Sequence, residues 1–317
     1  MDPMEGVVVV PGDLSQPLLG LTNSHFQVLA GELDAIIHNG AAVNLVRSYP
    51  ALKSVNVLGT QEVLRLAVTN GMGTNVKPVH YVSTNAVFPF SPEAEEFAED
   101  ADMGEKWQEL NDGYAQSKWV AERMCMAARA RGLPVGILRP GNMSPSSSTG
   151  AWNESDFIHI LLQGCLEVGS APSGVAWLVD MTPVDFAARA MVHVAVEQPR
   201  KSLGQVMHLQ NPQKPLDFAL VVEWLEEAAG VSLARLSLDN FRAKIDSKLA
   251  ELPEGQASAL PQLVAGLDSF AYYLSGGGTL GCGNLLAALD GSGVDCPPID
   301  PSLIATYAST LTTSDTA

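Results

Sequence analysis

The feature that most limits the fold is an alternation of short apolar runs with longer helical patterns. Val7–Val10 is closed by Pro11-Gly12-Asp13, and Leu33–Ile37 runs into His38-Asn39-Gly40-Ala41-Ala42. Pro78–Val82 ends at Ser83-Thr84-Asn85, and Val135–Leu138 ends at Arg139-Pro140-Gly141. Short apolar runs bounded by turn formers read as strands buried on both faces. Between them, Leu18–Gly31 has mixed helical spacing, and Pro50–Asn70 places Leu52, Val55, Leu58, Val63, Leu64, Ala67 and Val68 at helical positions. Ala115–Arg131 reads as a long amphipathic helix stopped by Gly132 and Pro134. Strand and helix in regular alternation predict an α/β fold with a doubly wound parallel sheet.

After about Ser144 the pattern changes. Helical segments (Phe157–Leu166, Val184–Val196, Asp217–Ala229, Leu238–Glu251) are separated by Pro-, Gly- and Ser-rich loops. This suggests a division into residues 1–143, a partial dinucleotide-binding sheet region, and residues 144–317, a smaller and mostly helical substrate lobe partly interleaved with it. The small polar residues from about Thr310 read as a frayed end.

A chain of 317 residues with 46% hydrophobic and 17% charged residues is globular in composition. Its formal charge of -17 argues against a nucleic-acid partner, because phosphate contacts need basic clusters. The four cysteines, Cys125, Cys165, Cys282 and Cys296, have no CxxC or Cys/His spacing, which argues against zinc and against a disulfide framework. The start, Met1 to Gly6, has no signal-peptide layout, and no apolar run reaches bilayer length. These features predict no metal, no membrane association and a cytoplasmic location.

The strongest chemical constellation is Tyr114-Ala-Gln-Ser-Lys118, thirty positions after Ser83-Thr84. Four-residue spacing puts phenol and ammonium on one helix face. An ammonium beside a phenol stabilises the phenolate, and a phenol tuned in this way passes a proton to a carbonyl oxygen as hydride arrives. Thr84, a hydroxyl at the carboxyl end of a strand, suits the same oxygen. Isolated YxxxK pairs arise by chance on solvated faces; the position after a hydroxyl-ended strand, inside a βαβ alternation, gives this one weight.

These residues resemble the extended short-chain dehydrogenases, and more narrowly the thioester reductase domains of polyketide and nonribosomal peptide synthases, aminoadipate reductases and carboxylic acid reductases. The matching blocks are Pro-Gly-Asp-Leu at 11–14, His-Asn-Gly-Ala-Ala-Val-Asn at 38–44, Asn-Val-Leu-Gly-Thr at 56–60, His-Tyr-Val-Ser-Thr at 80–84, Tyr-Ala-Gln-Ser-Lys at 114–118 and Arg-Pro-Gly-Asn at 139–142. Narrower are Ser-Thr-Gly-Ala-Trp-Asn at 148–153, Asp156-Phe157, Thr-Pro-Val-Asp-Phe at 182–186 and Cys-Pro-Pro-Ile-Asp at 296–300.

The resemblance implies a Rossmann-like fold and reduction of an acyl thioester, held on the phosphopantetheine arm of an acyl or peptidyl carrier protein, to an aldehyde or on to an alcohol. It makes Tyr114 the proton donor, Lys118 its electrostatic partner and ribose anchor, and Thr84 the hydroxyl on the oxyanion side. Asp13 and Leu14 then flank the adenine of NADP, with NAD left open. Asn39, Gly40, Ala41 and Ala42 line the adenosine and pyrophosphate side, and Pro140, Gly141, Asn142 and Met143 face the nicotinamide. Asn56 matches a polar helix position that supports Lys118, commonly through water; by itself it reads equally well as a surface or capping asparagine. Trp152, Phe157 and Trp177 are candidates for an acyl-channel wall, or plain core.

Extended dehydrogenases open on a strand and a glycine-rich turn that receives the pyrophosphate. This sequence begins at what reads as the third strand, which predicts a sheet lacking its first βαβ portion and an exposed apolar edge beside Val7–Val10. Gly276-Gly-Gly-Thr-Leu-Gly281 fits GxGxxG, but residues 269–274 before it are short and no dependable acidic residue or parallel strand follows at the right distance, so it reads as a substrate-lobe loop. Two other readings stay open. One is an extended dehydrogenase acting on another carbonyl or a sugar nucleotide; the other is an inactive truncated remnant.

Overall fold

The computed structural model of the chain describes residues 6–69, 76–89, 96–104, 106–253, 255–275 and 280–311. The chain packs as two compact units, each built from two segments. The first comprises Met1–Ser83 and Asn111–Ile137, the second Thr84–Leu110 and Leu138–Ala317.

In the first unit, α1 (Asn23–Glu32) starts at Thr22, whose hydroxyl accepts from the His25 N–H as a helix cap. Then follow β1 (Ile36–His38), α2 (Tyr49–Lys53), α3 (Gly59–Val68), β2 (Val79–Val82), α4 (Gly113–Ala130) and β3 (Val135–Pro140), the last passing into the second unit after Ile137. Strand β1 pairs in parallel with β2, with Ile36, Ile37 and His38 opposite Val79, His80 and Tyr81. Strand β2 neighbours β3 in turn. A π-helical turn over Ser54–Leu58 joins α2 to α3, so 49–68 runs as one continuous helix, as its spacing predicts. Helix α4 packs on α2 and α3. Phe26, Ala30 and Leu66 are buried together beneath α1.

The strand expected over Val7–Val10 does not form. These residues lie in no sheet, and Val8 is 85% exposed. A strand needs a neighbour for its N–H and C=O groups. Among the described residues β1 ends the sheet, with nothing paired on its outer side.

The second unit continues with β4 (Met143–Ser144), α5 (Phe157–Val168), β5 (Ser170–Pro172), β6 (Leu178–Val179), β7 (Thr182–Pro183), α6 (Val184–Val192), α7 (Pro199–Ser202) and β8 (Val206–Leu209). It ends with β9 (Leu216–Asp217), α8 (Phe218–Ala229), β10 (Ala234–Leu236), α9 (Leu238–Glu251), α10 (Leu260–Ser275), α11 (Gly283–Leu289) and α12 (Pro301–Ala308). Strand β8 lies beside β3, and the other strands form two-stranded pairs. The helical segments fall where the spacing places them, although the pattern over Val184–Val196 is α6 followed by a π-turn, His193–Glu197. Leu138, Phe186, Ala190, Val194, Met207, Leu209, Leu285 and Leu289 share one core. The α/β fold with parallel strand pairing is thus the one the alternation predicts.

Residues 269–274 belong to helix α10, so no strand leads into the glycine-rich segment. Residues 276–279 of that segment, the opening Met1 to Glu5 and the tail from Thr312 lie outside the described residues. Trp177 is a core side chain, buried and packed on Phe218 at 5.5 Å between ring centroids, so it does not wall a channel. Trp152 is half-buried and meets His159 and Tyr307 edge-on.

Candidate active site

Helix α4 is started by Asp112, whose carboxylate accepts from the Ala115 N–H at 2.7 Å. This places Tyr114 in the first turn, half-buried, and Lys118 one turn on, 3% exposed. The Lys118 ammonium donates to the Val82 carbonyl at 2.8 Å, at the end of β2, and lies 4.3 Å from the centroid of the Tyr81 ring. Burial brings its pKa down to about 8, while the Cys125 and Glu122 side chains act to raise it. His38, at the end of β1, shares a hydrogen bond with Thr60; burial and the Lys118 charge push it down to about 4, so its imidazole is neutral.

Asn56 is neither a surface nor a capping residue. It is buried in the π-turn, where its Oδ1 accepts from the Ala42 N–H at 2.7 Å and its Nδ2 donates to the Ala42 carbonyl and to Ser117 Oγ. Ser117 in turn donates to the Tyr114 carbonyl at 2.8 Å. Asn56 therefore ties the loop after β1 to α4. Its Nδ2 donates to Ala42 and Ser117, and the Lys118 ammonium donates to the Val82 carbonyl. π-Turns recur at functional positions because the extra residue re-aims a side chain.

The remaining candidates of this unit follow β1 or face that region. Asn39 and Gly40 are exposed, and Ala41 and Ala42 half-buried. Leu14 packs over Gly40, where an added Cβ would stand 2.6 Å from its Cδ1. Asp13 is exposed, and its carboxylate accepts from the N–H and hydroxyl of Ser15, which hold its pKa below the usual carboxylate value.

In the second unit, Thr84 is buried and caps the turn Asn85–Val87, accepting from the Ala86 N–H and donating to Asn85 Oδ1. Pro140 ends β3, Gly141 and Asn142 follow it, Met143 opens β4, and all four are half-buried. The Asp180 carboxylate accepts from the Asn142 N–H at 3.2 Å, and burial raises its pKa to about 7. Sequence reasoning singles out neither Asp180 nor the pair Ser83 and Glu122, whose side chains hydrogen-bond at 2.6 Å. Glu122 carries a signal that sequence offers, one helical turn beyond Lys118; Asp180 carries none. Among the described residues no cluster of His, Cys, Asp or Glu suits a metal ion, and no helix is long and apolar enough to cross a membrane.

Asn39 to Ala42 and Gly141 to Met143 follow the carboxyl ends of β1 and β3, and Pro140 is the last residue of β3; open α/β sheets bind their ligands at such ends. The chain is 37% identical over 308 residues to one of the subunits of Linear gramicidin synthase from Brevibacillus parabrevis, a match covering 94% of this chain and 6% of that protein. It is 36% identical over 318 residues to Glycine betaine reductase ATRR of Emericella nidulans, covering 96% of this chain and 23% of that one. The chain thus spans under a quarter of the length of these relatives. Among solved structures, the terminal R domain from the myxalamid PKS-NRPS biosynthetic pathway superposes with a TM-score of 0.84 at 42% identity, covering 95% of this chain and 74% of that one. Residues 3–191 match the NAD-binding family model described as Male sterility protein, and the chain belongs to that family.

Proposed function

We propose that this chain carries the proton-transfer site of a thioester reductase, which reduces an acyl thioester on a carrier protein to an aldehyde with NADPH. The observation that carries the reading is the Lys118 ammonium, buried on the Val82 carbonyl one turn after the half-buried Tyr114. The similarity to part of a peptide synthase, to a protein named a reductase and to a terminal R domain supports it.

The residues present fit a nicotinamide dinucleotide. Ala41 and Ala42 are small and half-buried, and Asn56 fixes Ala42. Asp13, Leu14 and Asn39 to Ala42 would hold the adenosine and pyrophosphate side, Lys118 the ribose, and Pro140 to Met143 the nicotinamide. When bound, the reduced cofactor supplies the hydride. Tyr114 gives its proton to the thioester oxygen as the carbonyl carbon gains that hydride, and Lys118 stabilises the phenolate left behind. The resulting hemithioacetal loses its C–S bond, which frees the carrier thiol and the aldehyde.

Two measurements test this. Titration with NADPH and with NADH, followed by nicotinamide fluorescence, reads cofactor binding by the chain as it stands. Tyr114→Phe is expected to abolish aldehyde release with cofactor affinity kept within a few fold; unchanged turnover would overturn the role of Tyr114.

A further inference from the structure

Two contacts join the end of β2 to α4, and they have the same spacing. Tyr81 and Ser83 are two residues apart along an extended backbone and so lie on one face of it. Lys118 and Glu122 are one turn apart on α4 and also share a face. The Lys118 ammonium lies over the Tyr81 ring and donates to the Val82 carbonyl, and Ser83 Oγ donates to Glu122 Oε2 at 2.6 Å. Two extended residues advance about 6.6 Å, and four helical residues advance about 6 Å. The steps match, so both contacts form in one register.

Glu122 is buried, and a buried carboxylate needs hydrogen bonds of this kind. Ser83 immediately follows the residue whose carbonyl receives the ammonium. We propose that Glu122 is a positioning residue for Lys118: through Ser83 it fixes the end of β2, and with it the Val82 carbonyl on which the ammonium is held. The ionisable groups acting on or packed against Lys118 are His38 from β1, Tyr81 from β2, and Glu122 and Cys125 from α4 itself, while Tyr114 acts on Tyr81. Of these, the Glu122 carboxylate balances the ammonium while being bound to β2. The importance of this pair for catalysis rests on the reading of Lys118 given above; the positioning itself does not.

The test follows the ammonium directly. In protein labelled at lysine, the Nζ signal of Lys118, assigned by its loss in Lys118→Arg, reports the exchange rate of its protons with water. Ser83→Ala and Glu122→Ala are each expected to speed that exchange about tenfold, the equivalent of one hydrogen bond's net strength. The double variant is expected to exchange no faster than the quicker single variant, because the two side chains act as one unit. Wild-type exchange in Ser83→Ala, or additive effects in the double variant, would overturn the proposal. Ser83→Ala empties little volume and carries the test by itself if Glu122→Ala does not fold. Where turnover is measured, the same variants lower kcat more than they change the KM for NADPH. An enzyme with no reductase activity would refute the proposed function, while the exchange data would still decide the positioning.

Discussion

Asn56 Nδ2 donates to Ser117 Oγ at 2.9 Å, so a π-turn between two helices is fastened to the residue beside Lys118. Both groups are buried, and the same Asn56 amide also brackets Ala42 through its N–H and carbonyl. Asn56→Leu keeps the volume and removes all three hydrogen bonds. Leaving these polar groups unpaired costs roughly 2 to 4 kcal/mol. Urea unfolding is expected to show a loss of that size, and an unchanged midpoint would refute the clamp.

Two glycine-to-alanine changes are expected to have opposite signs. At Gly113, beside the cap of α4, a Cβ would run into the backbone of Arg47, Ser48 and Tyr49, which are not free side-chain ends and cannot swing away. Gly113→Ala should therefore destabilise by about 2 kcal/mol or more, despite the better helix propensity of alanine. At Gly31, within α1, a Cβ meets nothing within 4 Å. Gly31→Ala should stabilise by about 0.5 to 1 kcal/mol. Melting temperatures moving the same way in both variants would contradict this.

Asp180 gives stability a pH dependence of definite sign. Its folded-state pKa of about 7 lies above the ordinary 3.8 because of burial, so the folded protein keeps a proton that the unfolded chain releases between those values. The contribution is fully present below the unfolded value and is lost as pH rises through about 7. Asp180→Asn keeps an acceptor for the Asn142 N–H and does not titrate. The variant should be more stable than the parent at about pH 8, by about 1 to 3 kcal/mol, with the gap closing towards about pH 4. Denaturant unfolding across that range checks the slope.

Val7 to Val10 are exposed and unpaired, so replacing them should leave the folded chain intact while changing its behaviour in solution. Val8→Lys combined with Val9→Lys should shift stability by no more than about 0.5 kcal/mol. It should reduce concentration-dependent association, since charge blunts unpaired β-prone segments. Sedimentation velocity at rising concentration separates the two outcomes, and identical profiles would refute the expectation.

Much of this arrangement was legible in the sequence because it rests on local signals. Helical spacing predicts α4, α9 and the helix over 49–68, and the turn formers after β1, β2 and β3 mark where candidate ligand residues stand. The Tyr114–Lys118 spacing likewise needs only the pitch of a helix. What depends on partners far along the chain was not legible. Val7–Val10 has the composition of a strand, but a strand is made by its neighbour. Asn56 looks like any polar helix residue until Ala42 and Ser117 come to meet it. Asp180 takes its altered pKa from burial, which no short motif encodes.

Leu14 packs its side chain over Gly40 and its carbonyl over Gly59, where added Cβ atoms would fall at 2.6 Å and 2.7 Å. One leucine is thus read by two bare backbone positions from separate motifs. A side chain gained at either glycine would push out the turn carrying Asp13, and a smaller residue at 14 would leave both glycines facing a gap. The three positions should therefore vary as a set: wherever related chains change one of them, the other two are the places to look for the answering change.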